Sequence, residues 1–279
     1  MDDLSRVDRD PNAAESGSVH EGDQPRSAAV LAGQLRRAFV AGELTAYFQP
    51  QYDLKTGRVV AVEALCRWQH PQDGLLLPGR FIDIAEQYGL IADLGRYMLE
   101  ESGRQIADWN KRGVSMSVSI NVSPSELTPE FAASVLGRLR ELDLPRGAVT
   151  VEIIESPEIL YSDEEFTTLN ALIDGGVGVS IDDFGTGSTS LELVRRLPLT
   201  EVKIDKSLVQ DGSAEVDALV RECLAIARDR GAHVVAEGIE TREHFDRAVG
   251  WGCDRAQGYF FSPPLPVAEV EPLLSESAA

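Results

Sequence analysis

The sequence predicts an α/β fold, a single (β/α)8 barrel. Roughly eight strand patterns alternate with helical patterns from about residue 44 onward, which is the order and size of one barrel. No strand pattern is followed by the Gly-x-Gly-x-x-Gly turn of a doubly wound open sheet, the rival architecture. Most strand patterns also carry an acid or an amide near the carboxyl end, where a barrel gathers its functional residues.

Composition excludes several classes of partner. The chain has 279 residues, 43% of them hydrophobic, and a net charge of -20. This charge argues against a nucleic-acid groove or a basic membrane patch, and it makes an anionic substrate hard to hold without metal ions. No apolar run is long enough to predict a membrane span, and the acidic N-terminus does not resemble a secretory signal. Three cysteines without metal-ligand spacing fit buried reduced thiols, so a cytoplasmic location is expected.

The chain is expected to contain one folded domain after a short tail. Residues 1–27 are predicted to be a disordered acidic tail, because they are rich in Asp, Ser, Gly and Pro and carry few apolar positions. Residues 28–275 are predicted to form the domain. Helical spacing begins at Ala28 and places four apolar residues on one face: Leu31, Leu35, Phe39 and Val40.

The first two strands are predicted to form an antiparallel hairpin. The first runs from Leu44 to Tyr52 and contains Pro50, which favours an edge or a bulge. A turn at residues 55–57 leads into the second strand, which runs over 58–65. Glu63 in this strand is flanked by apolar residues, so its burial would be costly without a cation.

The remaining elements follow from β-branched runs and helical spacing. Predicted strands run over 115–120, 148–154, 177–183, 201–205, 233–236 and 256–260. Predicted helices run over 90–111, 127–142, 163–173, 191–197, 214–230, 242–249 and 267–274, and one more begins at Pro78.

Asp182 and Asp183 are the most distinctive pair in the sequence. They follow a β-branched strand pattern and precede a glycine-rich turn. Neighbouring residues on a strand point to opposite sides, but both can reach one site where the strand end bends. Two carboxylates a few Å apart repel by roughly 4 kcal/mol at an effective dielectric near 20, so a cation or a proton must accompany them. A helix cap with a turn is the alternative interpretation of the pair, since Asp is common at both.

Polar residues near the strand ends are expected to meet at one rim of the barrel. In chain order they are Gln49, Glu63, Asn121, Glu152, Asp182, Asp183, Lys203, Glu237 and Gln257. Oxygen donors of this kind favour Mg²⁺ or Mn²⁺ over zinc. The five carboxylates and the one lysine are neutralised by two divalent cations, and a pair of ions about 3.5–4 Å apart suits in-line displacement at phosphorus.

Several motifs point to one family. The segment Val62–Trp68 contains Glu-Ala-Leu-x-Arg. Further characteristic segments are Tyr47–Pro50, Asn121–Ser123, Glu152–Glu155, Asp182–Gly187, Lys203–Asp205, Ala236–Gly238 and Gln257–Tyr259. Together these motifs resemble the EAL family of cyclic di-GMP phosphodiesterases, and the resemblance covers about residues 28–275.

The resemblance implies a fold, an activity and a ligand set. The fold is a modified TIM barrel with one antiparallel strand, in agreement with the predicted hairpin. The activity is hydrolysis of one phosphodiester bond of cyclic di-GMP to linear pGpG by a homodimer with two Mg²⁺ or Mn²⁺ ions. The first ion would be held by Glu63, Asn121, Glu152 and Asp182, and the second by Asp183 together with the bridging Asp182.

The resemblance also implies roles for the other motif residues. Glu237 would be a metal ligand or the proton acceptor for the attacking water, and Lys203 would orient that water. Catalysis is thus assigned to Glu63, Lys203 and Glu237, and substrate contacts to Gln49, Leu65, Arg67, Asp205 and Gln257. The planar guanidinium of Arg67 is well shaped for a phosphate. Glu155 would anchor the loop that follows Asp183.

Two positions depart from the family pattern, and two alternative functions stay open. Ile154 stands where the family usually has Thr, and Ser188 stands where the glycine-rich loop usually has Tyr. A catalytically silent receptor for cyclic di-GMP is the first alternative, although such family members usually lack a metal-binding acid and none is missing here. A metal-dependent barrel enzyme acting on a carboxylate or an enolate is the second, since fold alone does not decide function.

Overall fold

The computed structural model describes residues 27–154, 162–186 and 191–278. The strands within these ranges are β1 (Leu44–Asp53), β2 (Val59–His70), β3 (Gly74–Leu76), β4 (Ser117–Val122), β5 (Val149–Ile154), β6 (Gly178–Phe184), β7 (Glu201–Ile204), β8 (His233–Ala236) and β9 (Arg255–Ala256). The helices are α1 (Ala28–Ala41), α2 (Ile82–Gln87), α3 (Ile91–Lys111), α4 (Pro129–Glu141), α5 (Asp163–Gly175), α6 (Leu191–Arg196), α7 (Lys206–Asp211), α8 (Ala214–Asp229), α9 (Arg242–Trp251) and α10 (Val267–Ala278).

Eight of these strands close into a barrel. The order around it is β1, β9, β8, β7, β6, β5, β4 and β2, and β2 pairs with β1 to complete the ring. β1 is antiparallel to both of its neighbours, whereas the other barrel pairings are parallel. β3 lies outside the ring and extends β2 in the antiparallel sense. The predicted modified (β/α)8 barrel with one antiparallel strand is confirmed.

The hairpin between β1 and β2 turns at the predicted place. Asp53 Oδ1 accepts hydrogen bonds from the backbone N–H groups of Lys55 and Thr56, at 3.1 and 2.7 Å. Gly57 has a φ of 71°, a left-handed conformation that glycine adopts without steric cost. The resulting register sets Gln49 opposite Glu63, so these two side chains lie on the same face of the hairpin.

The strands separate apolar from polar side chains across the barrel wall. In β7 all four residues are buried, yet polar Glu201 and Lys203 alternate with apolar Val202 and Ile204. Because alternate residues point to opposite faces, the apolar pair packs outward against the helices and the polar pair faces the interior. The same alternation in β4, β5 and β6 gives this barrel a largely polar centre inside an apolar shell, whereas β8 places Val235 beside Lys203 on the inner face.

Two expectations about individual elements are wrong. The last strand was expected over 256–260 but pairs only at Arg255–Ala256, because the chain turns at Gly258, whose φ is 152°. Val40 is 90% exposed, and α1 instead buries Ala32, Leu35 and Ala38. The β6 strand contains the Asp182 and Asp183 pair, as predicted, and continues one residue further, through Phe184, which matters for the site.

Other expectations about the chain have mixed outcomes. Cys66, Cys223 and Cys253 are buried and unpaired, and burial raises the pKa of each thiol to about 12. None of the helices in the described ranges could cross a membrane, because none is both long and apolar enough. The tail prediction falls on residues 1–26, which lie outside the described ranges, so it stays a prediction.

Candidate metal centre

Four carboxylates surround one lysine inside the barrel, toward the carboxyl ends of the parallel strands. The Lys203 Nζ lies close to an oxygen of each: 2.8 Å from Glu237, 3.0 Å from Asp182, 3.1 Å from Glu152 and 3.3 Å from Glu63. The Lys203 side chain is only 1% exposed. Residues separated by more than 170 positions in the chain therefore share one site, because barrel closure brings the ends of their strands together.

The carboxylates form two overlapping groups that could each hold a metal ion. Oxygens of Glu63, Glu152 and Asp182 lie within 4.8 Å of one another, and so do oxygens of Asp182, Asp183 and Glu237. Asp182 belongs to both groups, so its carboxylate could contribute to either ion. Glu152 Oε1 is buried and has no hydrogen-bond partner among the described residues. An orphaned buried carboxylate oxygen is costly, so this donor set fits hard divalent cations.

A β-bulge turns two consecutive aspartates toward the same site. The register between β6 and β7 shifts between Ile181 and Phe184. Asp183 has a φ of 56°, in the left-handed region, and its N–H donates to Asp182 Oδ1 at 3.0 Å. On a regular strand the two side chains would point to opposite faces, whereas a bulge redirects one of them. The bulge, rather than the bending of a strand end, brings the second carboxylate into the site.

The acids of the cluster carry more negative charge than the Lys203 ammonium balances. Burial raises the pKa values of Glu152 and Glu237 well above their usual range, although Lys203 opposes the rise. Burial also raises the pKa of Asp183, to about 6, and the Asp182 carboxylate adds to the effect. At neutral pH additional positive charge would therefore stabilise the cluster, and divalent cations would supply it.

Glu63 is held more firmly in its ionised form. Burial raises its pKa, but Lys203 and the hydrogen bonds from Gln257 and Asn121 lower it further, so the net shift is downward. Asn121 Nδ2 donates to Glu63 Oε1 at 3.1 Å. Gln257 Nε2 donates to Glu63 Oε2 at 2.7 Å and to Glu237 Oε1 at 2.9 Å. The two amides thus orient the carboxylates of separate strands.

Of the five predicted substrate residues, Gln257 contacts the acids, and the other four divide into two sets. Arg67 lies two strand positions beyond Leu65 and four beyond Glu63, so the three side chains share one face of β2. Arg67 is 7% exposed, with its guanidinium 5.4 Å from the centre of the Tyr47 ring. These residues extend the site away from the acids. Tyr47 received no role from the sequence, but its position two residues before Gln49 would have placed it on the same face.

The second set has structural contacts of its own. Gln49 Nε2 donates to the Ser262 carbonyl at 3.2 Å rather than to an acid of the cluster. Asp205 caps α7, accepting a hydrogen bond from the Ser207 N–H at 2.8 Å, and its charge also raises the pKa of Asp183. Glu155 and Ser188 lie outside the described residues, as does the side chain of Ile154.

Asp183→Asn should stabilise the metal-free protein at neutral pH. Burial raises the pKa of Asp183 from its ordinary value of 3.8 to about 6. Between these two pH values the folded state therefore binds more protons than the unfolded state. Stability therefore falls as pH rises through this window, and the loss persists above it. We expect the variant to be more stable than the wild type at about pH 7 in EDTA, with the difference vanishing below about pH 4, by urea denaturation.

Asp143→Asn is the matched control for this comparison. Asp143 is also a left-handed aspartate, with a φ of 53°, but it is exposed and belongs to neither carboxylate group. Asn tolerates this backbone conformation as Asp does. Equal gains in both variants would show that backbone conformation, not charge at the site, is responsible.

Gly258→Ala should displace Gln257 and weaken the site. A Cβ at Gly258 would lie 2.3 Å from the backbone N and O atoms of Ile239. Backbone cannot yield as a side chain does, so we expect a loss of about 2 kcal/mol in the free energy of unfolding, together with lower activity. Gly250→Ala is the control, because no atom lies within 4 Å of a Cβ there. An unchanged melting temperature for Gly258→Ala would show that the Ile239 backbone can move to accommodate a Cβ at this position.

Comparison with known proteins places this geometry in a family. The family model of the EAL domain matches residues 32–264. The chain belongs to the EAL domain family. The predicted resemblance is thereby confirmed.

Individual relatives of this EAL domain include sensors and phosphodiesterases. It is 37% identical over 245 residues to the oxygen sensor protein DosP of Escherichia coli, covering 86% of this chain and 31% of DosP. It is 35% identical over 227 residues to the cyclic di-GMP phosphodiesterase PA2567 of Pseudomonas aeruginosa, covering 80% of this chain and 39% of that protein. The chain thus spans about a third of the length of these two relatives.

A solved structure supports the same assignment. The PaMucR phosphodiesterase in its c-di-GMP complex superimposes with a TM-score of 0.80 at 33% identity. The match covers 86% of this EAL domain and 99% of that chain. The fold and the family therefore agree.

Proposed function

We propose that this EAL domain is a metal-dependent phosphodiesterase that hydrolyses one phosphodiester bond of cyclic di-GMP to give linear pGpG. The observation that carries the proposal is the pair of carboxylate groups that share Asp182. Its support from relatives is that PA2567 is a cyclic di-GMP phosphodiesterase and that PaMucR forms a c-di-GMP complex.

The residues divide into two ligand sets in this proposal. One Mg²⁺ or Mn²⁺ ion would be held by Glu63, Asn121, Glu152 and Asp182, and the other by Asp182, Asp183 and Glu237. When bound, two such ions polarise a phosphoryl oxygen and lower the pKa of a water molecule. With these ions the site can accept an anionic substrate despite the acidic net charge of the chain.

The protein side chains would prepare the water and the phosphate for reaction. Glu237 would accept a proton as the water oxygen forms its bond to phosphorus. The opposite P–O bond breaks, and the ribose oxygen that leaves takes up a proton from solvent to become a hydroxyl. The Lys203 ammonium, which already lies 2.8 Å from Glu237, holds that carboxylate and orients the water. The guanidinium of Arg67 grips a phosphate of the substrate in a geometry that a planar fork suits.

The direct test is turnover with product identification. The protein is incubated with cyclic di-GMP and Mn²⁺, and the nucleotides are separated by chromatography. We expect linear pGpG to accumulate and EDTA to stop its formation. A folded protein that binds Mn²⁺ yet yields no pGpG would refute the proposal.

A silent receptor for cyclic di-GMP is the second candidate, favoured only by Ser188 in place of the usual loop Tyr. Tight nucleotide binding in EDTA without turnover in Mn²⁺ would establish it.

We also propose a cytoplasmic homodimer, supported by the family resemblance and the unpaired buried cysteines. Light scattering coupled to gel filtration tests the dimer.

A further inference from the structure

A second buried polar layer lies beneath the metal centre. It consists of Gln51, Glu201 and Arg255, here called the floor triad. Each member lies two positions from a residue of the upper layer and on the same face: Gln51 with Gln49 in β1, Glu201 with Lys203 in β7, and Arg255 in β9 with Gln257 just beyond it, where the Gln257 N–H still pairs with the Ala236 carbonyl. Two residues span about 7 Å along a strand. The floor triad therefore lies one layer below the acids, inside the same barrel.

The floor triad is held together by one guanidinium group. Arg255 Nη1 lies 3.1 Å from Glu201 Oε2 and donates to Gln51 Oε1 at 3.4 Å. Glu201 is 4% exposed and Gln51 is fully buried, whereas the Arg255 side chain is 20% exposed. A buried ion pair is weak support for stability, since apolar residues of similar volume often replace one without loss. The pair therefore calls for another explanation.

The charges of the floor triad influence the pKa values of the acids in the metal centre above it. Burial is the main cause of the raised pKa of Glu152, and the Glu201 carboxylate is among the charges that add to it. Burial likewise raises the pKa of Glu201, while Arg255 and then Lys203 oppose the rise. Lys203 thus has negative charge both beside it and beneath it.

We propose that Glu201 and Arg255 are positioning residues of the metal centre. Together they form a neutral pair, so no net charge lies beneath Lys203. The Lys203 ammonium therefore stays directed at the four acids. The electrostatic attraction on a divalent cation is then set by those acids and not by the floor triad. Without Arg255, Glu201 would compete for Lys203 and add negative charge. Without Glu201, Arg255 would repel both Lys203 and the metal ions. The inference rests on the proposed function, because it requires that the acids bind metal.

The test is the affinity for Mn²⁺, measured by titration calorimetry on the full chain. The variants are Glu201→Gln, Arg255→Gln and the double variant, with Arg255→Lys as the charge-conserving control. We expect Glu201→Gln to weaken Mn²⁺ binding about tenfold and Arg255→Gln to strengthen it, since the first removes one negative charge and the second one positive charge about 7 Å away. The double variant should return to within about twofold of the wild type, as should Arg255→Lys.

If the two single variants change the Mn²⁺ affinity in opposite directions and the double variant restores it, the effect is due to charge and not to packing. If both single variants weaken Mn²⁺ binding and the double variant weakens it further, the floor triad is only structural and the proposal fails. Unchanged affinity in Glu201→Gln also overturns it. If Glu201→Gln does not fold, the comparison of Arg255→Gln with the double variant decides, because stronger binding must be lost when Glu201 is also neutralised.

The same titration separates this inference from the proposed function. Wild-type protein that binds no Mn²⁺ would overturn both. Opposite shifts in a protein that produces no pGpG would uphold the positioning role while the phosphodiesterase proposal fails. Pairing the calorimetry with the turnover assay therefore assigns each failure to one of the two claims.

Discussion

Replacing Glu63 with Gln should reduce the hydrolysis of cyclic di-GMP by at least about a thousandfold, which corresponds to about 4 kcal/mol of transition-state stabilisation. Glu63 joins three parts of the site: Lys203 lies 3.3 Å away, and the amides of Asn121 and Gln257 donate to its two oxygens. A neutral amide at this position keeps the volume but removes the charge that a divalent ion requires. The measurement is kcat/KM from initial rates of pGpG formation in Mn²⁺.

A matched substitution distinguishes the loss of a metal ligand from the loss of any acidic side chain. Glu240 is exposed and lies three residues beyond Glu237, outside both carboxylate groups. Glu240→Gln should therefore retain nearly full activity. A Glu63→Gln variant that folds and turns over at the wild-type rate would show that Glu63 is not a metal ligand, whatever the fate of the control.

Lys203→Met should destabilise the metal-free protein by about 3–5 kcal/mol, the usual cost of removing one partner from a buried ion pair. Burial lowers the pKa of Lys203, but the four surrounding carboxylates raise it further, so the ammonium is fully charged at neutral pH. Its removal leaves those carboxylates with no cation between them. For a domain of this size the melting temperature in EDTA should fall by about 10 °C.

Manganese should reverse much of this loss. Ions that bind only the folded state stabilise it by mass action, and the variant offers them a more negative site. We expect Mn²⁺ to raise the melting temperature of Lys203→Met more than that of the wild type. The loss in EDTA should also shrink toward pH 5, because acids with raised pKa values take up protons in place of the missing ammonium.

Lys206→Met is the control for the lysine prediction. Lys206 is exposed and lies only three residues further along the chain. Its replacement should leave the melting temperature within about 2 °C of the wild type in EDTA and in Mn²⁺. Equal melting temperatures for Lys203→Met and the wild type in EDTA would mean that Lys203 is not the counter-ion of the cluster.

The sequence alone was sufficient for the barrel and for naming the acids and the lysine that lie inside it, but not for the floor triad beneath them. Strand periodicity and helix spacing are local properties, and they predicted the alternation of elements and the turn at residues 55–57. Glu63 stood out because an acid among apolar residues is costly to bury without a partner. Local patterns failed where an element is short or ends irregularly, as at Val40 and at the last strand.

Only the tertiary structure decided how these side chains meet. The bulge that aims Asp183 depends on the register between β6 and β7, which pairing across the barrel sets and no local pattern specifies. The place of Lys203 between four acids, and that of Arg255 beneath them, likewise depend on the stagger at which eight strands close into a ring. The types of residue in the site follow from the chain itself, whereas their distances follow from barrel closure, because closure couples strands that are far apart in sequence.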